Sequence, residues 1–162
     1  KKRKYEYGTS KLEMYFAKEF LDKMKLDYIY EYEATYIKRF YDFAIVSAPE
    51  NVQFIYEDKH GIRSVDATKT YTKILFLIEI DGDYFHANPE FVNEEDMSWM
   101  QRKNKFVDGL KDEWCQKKHM PLLRIWENAI RNHPNEVRKM IEDKLVETGK
   151  KLKLVETIKK KK

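Results

Sequence analysis

The stretch Lys73–Pro89, KILFLIEIDGDYFHANP, decides the fold and indicates the chemistry. Its apolar first half predicts a buried strand that ends at Asp81, and Gly82 predicts the turn that follows. Because side chains alternate faces along a strand, Glu79 and Asp81 are expected to share one face. Two carboxylates in partly dry surroundings repel each other, and a cation that takes oxygen ligands relieves the repulsion. The pattern predicts a metal-dependent hydrolytic site, with His86 presented by the loop after the strand.

A second apolar segment, Arg39–Val46, brings a third acid, Asp42, to the same region. We expect this segment to belong to a strand over 36–46 that pairs as an antiparallel hairpin with a strand over 28–33. The remaining predicted elements are helices over 10–25, 97–118 and 134–148 and strands over 52–56, 73–81 and 120–126. This order predicts an α/β domain with a mixed central sheet flanked by helices.

Two local details complete the predicted fold. Ser10, followed three residues later by Glu13, predicts a capping box at the start of the first helix. The polar stretch Val65–Tyr71 is expected to be a loop between two central strands.

The bulk composition favours a folded, intracellular domain. With 162 residues, of which 42% are hydrophobic, the chain can bury a core. No apolar run is long enough to span a bilayer, and no signal-peptide pattern opens the chain. The single cysteine, Cys115, predicts no internal disulfide and no cysteine-rich zinc site, which favours a reducing, cytoplasmic setting. Because the first residue is Lys1 and not methionine, we expect an excised domain or a processed product.

Charge is distributed unevenly along the chain. The net charge is +4, but residues 1–4 contribute +4 and residues 144–162 contribute +6, which leaves −6 on the residues between them. Basic ends of this kind favour contact with a nucleic-acid backbone, although solvated tails have the same composition. We expect residues 1–143 to form the catalytic domain and residues 144–162 to form a basic helical extension or tail.

Five short motifs, in this order along the chain, resemble those of the PD-(D/E)XK nuclease superfamily. The motifs are Ser10–Glu13, Tyr41–Phe43, Glu79–Gly82 followed by His86, Asp108–Lys111, and Pro121–Glu127. More narrowly, the chain resembles the branch of the very-short-patch-repair mismatch endonucleases and the EDxHD homing endonucleases. The resemblance covers about residues 8–130. It implies a restriction-endonuclease-like core and hydrolysis of phosphodiester bonds in double-stranded DNA with Mg²⁺, for which Mn²⁺ can substitute.

The resemblance assigns the metal-binding residues. Asp42 matches the metal-binding aspartate, and the backbone carbonyl of Ile80 matches the second protein oxygen. Glu13, on the first helix, is expected to hold a metal-bound water. Glu79 is acidic where the mismatch-repair enzymes are apolar, and it is expected to be a further metal ligand.

The resemblance also assigns the proton chemistry. His86 matches the general base, and an imidazole that titrates near neutrality suits proton removal from water. Asp81 and Asp108 are expected to orient His86 or to bind metal waters. Asp81 replaces the usual lysine of the motif, a departure typical of the histidine-using branch. Lys111, one helical turn after Asp108, is expected to reach a phosphate.

Contacts to DNA are expected from exposed aromatic and basic side chains near the histidine. The mismatch enzymes of the branch insert aromatic rings into the duplex, so the resemblance makes Trp99, Tyr84 and Phe85 candidates for such a wedge. Lys103 and Lys105 are candidates for backbone contacts. The chain lacks a Cys/His set for the structural zinc of the mismatch-repair enzymes, which favours a homing or other mobile-element nuclease, such as one encoded by a phage. Target choice would then depend on a homodimer or on a DNA-recognition domain outside this chain.

Other interpretations stay open. A restriction or mismatch-repair nuclease would use the same site on a different target, and an inactive nucleic-acid-binding module would keep only the fold. Ordinary structural roles also fit some of the residues. Glu13 can be a simple helix cap, and Asp108 with Lys111 can be a surface salt bridge.

Overall fold

The structure, a computed structural model, describes residues 8–47, 51–68 and 73–160. The helices are α1 (Gly8–Phe16), α2 (Trp99–Lys117), α3 (Glu127–Asn132) and α4 (Pro134–Lys160). The strands are β1 (Asp27–Ala34), β2 (Arg39–Val46), β3 (Asn51–Asp58), β4 (Gly61–Thr68), β5 (Ile74–Asp81) and β6 (Leu122–Trp126). A π-helical segment, Ala17–Asp22, continues α1, and a 3₁₀ turn, Glu94–Asp96, precedes α2.

Four strands form one mixed sheet in the order β1-β2-β5-β6. β2 pairs antiparallel with both β1 and β5, whereas β6 runs parallel to β5. Helices flank this sheet, so the predicted α/β class with a mixed central sheet is confirmed, as is the antiparallel hairpin of β1 and β2. Among the described residues, no helix is both long and apolar enough to cross a membrane.

The expectation of a loop over 65–71 is wrong for the residues that the structure describes. β4 extends to Thr68 and pairs with β3 along its whole length in a separate two-stranded sheet, and residues 69–72 lie outside the described residues. Main-chain hydrogen bonds hold such a ribbon, so its sequence need not be apolar. Gly61, at a φ of +106°, opens β4 in a conformation that side chains disfavour.

The capping box at the start of the first helix is also wrong. Ser10 lies inside α1, which already includes Gly8, so it does not cap the helix. The helical run then continues to Asp22 because one face of it is buried. That face carries Leu12, Phe16, Phe20 and Leu21.

The two faces of β5 separate the core from the candidate site. Phe76, Ile78 and Ile80 pack in the same buried cluster as residues of α1 and α4. Leu77 points the other way, into a cluster with Cys115 of α2. By strand alternation, the side chains that follow Leu77 on its face, Glu79 and Asp81, point toward α2.

Candidate active site

The site forms where β2 and β5 separate. Their regular pairing extends to the pair Phe43 and Ile78. Beyond this pair, the backbone N–H of Asp42 donates to Oε1 of Glu79 at 2.8 Å. The N–H of Ile80 donates to Oδ2 of Asp42 at 2.7 Å. Two side-chain carboxylates therefore accept the hydrogen bonds that strand carbonyls accept elsewhere in the ladder.

Asp42 is positioned by a local break in the alternation of β2. Tyr41 and Phe43 are two residues apart, yet Tyr41 packs in the cluster that faces α2 and Phe43 in the cluster that contains α1. The Tyr41 hydroxyl donates to the backbone oxygen of Lys111 at 2.8 Å, which holds Tyr41 on the α2 side. On the neighbouring strand β1, Glu31 has a φ of +55°. These irregularities let the carboxylate of Asp42 reach acceptor positions between the strands.

The side chain of Glu13, on α1, is hydrogen-bonded to that of Asp42. Glu13 is buried, with 1% of the residue exposed. The Tyr30 hydroxyl donates to Oε2 of Glu13 at 3.4 Å. Burial raises the pKa of Asp42 well above its usual value. The hydrogen bond with Glu13 and the negative charge of Glu13 raise it further.

Glu79 forms an ion pair with Lys111 of α2. Lys111 Nζ lies 2.9 Å from Oε2 of Glu79, and both side chains are largely buried. Burial and the charge of Asp42 raise the pKa of Glu79 to about 7, although Lys111 opposes the shift. This contact pairs the amino group of Lys111 with a carboxylate of the site. That Lys111 reaches a phosphate stays a prediction.

His86 is held by a carboxylate of α2. Its Nδ1 lies 2.8 Å from Oδ2 of Asp108 and 3.8 Å from Oδ1 of Asp81. Burial lowers the pKa of His86, but the hydrogen bond to Asp108 and the nearby negative charges outweigh burial and raise it above its usual value. Burial favours the neutral acid at Asp108, yet His86 and Arg124 outweigh it and keep the pKa of Asp108 below its usual range.

Asp81, His86 and Asp108 could hold a metal ion. Each offers one ligand atom, and these atoms all lie within 4.8 Å of one another. Burial raises the pKa of Asp81 to about 6 against the opposing charge of Arg124. The donor set contains one ring nitrogen and two carboxylates, which is compatible with several divalent metals.

Arg124 of β6 completes the site, and sequence reasoning assigned it no role. Its Nη1 donates to both carboxylate oxygens of Asp81, at 3.0 and 3.2 Å. Its Nε donates to Oδ1 of Asp112 at 2.8 Å, and its Nη2 donates to the backbone oxygen of Asp108 at 3.2 Å. A charged residue within the strand Leu122–Trp126 was the available signal, because an arginine among apolar strand residues requires a partner.

The loop that carries His86 is tied down from both sides. Gln101 donates to the backbone oxygen of Tyr84 at 2.6 Å, and Asn104 donates to that of Phe85 at 2.8 Å. On the other side, the backbone N–H of Asp83 donates to Glu127 at 3.2 Å. These bonds fix the backbone of the loop while the rings of Tyr84 and Phe85 stay exposed, with their centroids 5.4 Å apart.

Two of the predicted DNA-contacting side chains, Trp99 and Lys103, lie toward the start of α2. Trp99 is 76% exposed, and Lys103 Nζ lies 5.5 Å from the centre of its ring. Lys105 Nζ lies 5.2 Å from the ring centre of Trp126. Trp99 and Asp108 are nine residues apart on one helix, or about 13 Å along its axis. The structure therefore brings six of the predicted site residues together and leaves Trp99 and Lys103 on the adjoining surface. The six are Glu13, Asp42, Glu79, Asp81, His86 and Asp108.

Comparison of the chain with protein-family models, with curated protein sequences and with solved structures gives no match. The chemistry of the site is therefore inferred from its own geometry.

Proposed function

We propose that the protein is a metal-dependent endonuclease that hydrolyses phosphodiester bonds in double-stranded DNA. The observation that carries the proposal is one juxtaposition. A histidine oriented by a carboxylate, His86 with Asp108 at 2.8 Å, lies beside the buried acids of two diverging strands. A general base and a cation-binding acidic cluster are the two components that metal-dependent hydrolysis of a phosphodiester uses. The mixed sheet flanked by helices is compatible with a restriction-endonuclease-like core.

Asp42 and Glu79 are the side chains that we assign to the cation, with the backbone carbonyl of Ile80 beside them. All three offer oxygen, the ligand that Mg²⁺ prefers and that Mn²⁺ also accepts. The raised pKa values of Asp42 and Glu79 mean that their negative charge is costly in the protein alone, and a divalent cation offsets that cost. When bound, such a cation polarises the scissile phosphate and lowers the pKa of a water. The trio Asp81, His86 and Asp108 is assigned instead to proton removal, because a cation on Nδ1 of His86 would replace its hydrogen bond to Asp108.

His86 is the group that we assign to proton removal. With Nδ1 bonded to Asp108, the ring presents Nε2 as the acceptor for a proton from water. No hydrogen bond to Nε2 is present among the described residues. The side chain is partly exposed, so a water and a phosphate can approach it.

Three further side chains support the proposed reaction. To Glu13, hydrogen-bonded to Tyr30 and Asp42, we assign a hydrogen bond from a water near the cation. Asp81, near His86 and bonded to Arg124, limits the directions in which the ring can turn. Lys111 pairs with Glu79, and its amino group would reach a phosphate if a cation replaced it at that carboxylate.

The exposed surface beside His86 favours a DNA substrate. Tyr84, Phe85 and Trp99 offer rings to bases, and Lys103 offers a charge to the backbone. A homing-type or other mobile-element nuclease is the setting that we propose. The same aromatic surface also suits a restriction or mismatch-repair nuclease. Cleavage rates on a mismatched duplex and on the fully paired duplex of the same sequence separate these targets.

Nicking of a supercoiled plasmid tests the proposal. The parent protein is incubated with Mg²⁺ or Mn²⁺, with EDTA as the metal-free arm, beside His86→Ala and Asp42→Ala. His133→Ala is the matched control, because His133 is exposed and lies outside the site. We expect metal-dependent nicking by the parent and the control, and its loss in both site variants.

Two results would count against the enzyme. Nicking that persists in a purified His86→Ala preparation would indicate a contaminating nuclease or a different site. A folded parent that neither nicks DNA nor binds Mg²⁺ in calorimetry would favour the inactive nucleic-acid-binding module. Binding of Mg²⁺ without nicking would instead direct the search to a specific target sequence.

A further inference from the structure

The side chain of Arg124 donates four hydrogen bonds in the site, and the proposed reaction gives it no role. It lies on β6 directly beside Glu79 in the parallel pairing with β5. Its guanidinium uses all three nitrogens, two of them toward Asp81 and the backbone of Asp108 and one toward Asp112. One planar group thus connects the end of β5 to two successive turns of α2.

Two of the three residues that Arg124 contacts, Asp81 and Asp108, also surround the imidazole. Asp108 bonds to Nδ1 of His86 at 2.8 Å, and Asp81 lies 3.8 Å from the same nitrogen. Arg124 Nη1 also lies 3.7 Å from Oδ1 of Asp108. The guanidinium therefore links the end of β5 to this turn of α2, beside the Lys111–Glu79 pair, and it does so next to both carboxylates that face the His86 ring.

We propose that Arg124 is a positioning residue that sets the orientation of His86 by clamping Asp81 and Asp108. The inference rests on the proposed function, in which His86 removes the proton. Arg124 acts through the two carboxylates, and its contacts in the structure are to protein groups of β5 and α2. With Arg124 included, the site extends from β5 and α2 to the edge strand β6.

The geometry demands a guanidinium and not merely a positive charge. A lysine at this position keeps the charge but offers a single nitrogen, which cannot bond Asp81 and the Asp108 backbone in a fixed plane. An ordinary structural ion pair would tolerate that exchange, since charge would suffice. Arg124→Lys therefore separates positioning from simple charge compensation.

The test compares Arg124→Lys and Arg124→Met with the parent and with Arg138→Lys. Arg138 is a matched control, because its guanidinium also has a polar partner and packs over an aromatic ring, that of Phe20, away from the site. Each protein is measured for the rate and KM of plasmid nicking. Nitrogen-15 NMR of the His86 ring in the metal-free protein gives a second readout that does not depend on catalysis.

We expect both Arg124 variants to lose about 10- to 100-fold in kcat, with KM for DNA changed less than about two-fold. We also expect a changed Nδ1–H signal of His86 in both, and parental values in Arg138→Lys. A folded Arg124→Lys with parental kcat and an unchanged Nδ1–H signal would overturn the proposal. If Arg124→Met fails to fold, Arg124→Lys alone decides.

The NMR arm keeps this inference separate from the proposed nuclease activity. If the parent cuts no DNA, a His86 signal that changes in Arg124→Lys still supports the clamp. An unchanged signal in that case rejects it.

Discussion

Nδ1 of His86 lies 2.8 Å from Oδ2 of Asp108, although one residue is in a loop and the other is 22 positions later on α2. The contact leaves Nε2 as the nitrogen that faces incoming groups when the ring is neutral. It also raises the pKa of His86 together with the charges of Asp81 and Glu79, against the opposing effect of burial. This hydrogen bond thus contributes both to the direction of the ring and to the pH range in which it can accept a proton.

Asp108→Asn is expected to lower kcat for DNA nicking by about 10²- to 10³-fold, within the range known for general-base contributions. Because Asp108 raises the pKa of His86, its loss is also expected to move the acid side of the pH–rate profile to lower pH. Glu113→Gln is the control, since Glu113 is exposed on the same helix and pairs with Lys117. An unchanged acid limb in Asp108→Asn would show that Asp108 does not act through His86.

Much of the fold was predictable because it follows from hydrophobic patterns. β2, β5, β6 and α2 lie close to their predicted ranges, since each carries an apolar stretch or a helical repeat that only one element type can bury. β4 and the start of α1 were missed for the opposite reason. The extent of β4 depends on main-chain pairing with β3, and the start of α1 depends on residues before Ser10. Local composition reveals neither boundary.

The site was predictable in its residue types but not in its pairings. Strand alternation places Glu79 and Asp81 on one face, as the structure has them. The orientation of Asp42 depends on the break in alternation between Tyr41 and Phe43, and Arg124 reaches Asp81 only because β6 runs beside β5. Such contacts arise from the order of strands in the sheet, which a sequence pattern does not specify.

Stability of the metal-free protein is expected to fall as the pH rises from 5 to 8. Burial raises the pKa of Glu79 from 4.5 to about 7 in the folded state. The unfolded state therefore ionises first, so the contribution of this group is complete below pH 4.5 and is lost as the pH rises through 7. The loss amounts to about 3 kcal/mol for this group alone.

The measurement is the free energy of unfolding by urea at several pH values in EDTA. Glu79→Gln is the informative variant, because an amide cannot ionise, and its stability should fall less steeply over the same range. Equal slopes for the parent and Glu79→Gln would mean that Glu79 titrates at its ordinary pKa.

Divalent cations are expected to raise the melting temperature more at pH 8 than at pH 5. Ligand carboxylates must lose their protons before they bind a cation, and the pKa values of Asp42 and Glu79 are raised. Mg²⁺ at about ten times its dissociation constant should give a rise of about 4 °C at pH 8. Asp42→Asn should abolish the rise, whereas Asp143→Asn, on the exposed side of α4, should keep it. A Mg²⁺-induced rise of equal size in Asp42→Asn would place the cation elsewhere.

Trp99→Ala is expected to weaken binding to duplex DNA by about tenfold without a change in melting temperature. The ring is 76% exposed, so its removal costs little packing, whereas stacking on a base contributes about 1–3 kcal/mol. Tyr36→Ala is the matched control, because Tyr36 is 87% exposed and also has a lysine, Lys118, over its ring, but it lies near the opposite end of α2. Fluorescence anisotropy with a labelled duplex, measured in the His86→Ala background to prevent cleavage, gives the two affinities. Equal losses in both variants would indicate nonspecific adhesion of aromatic surface, and no loss in Trp99→Ala would remove the start of α2 from the DNA-binding face.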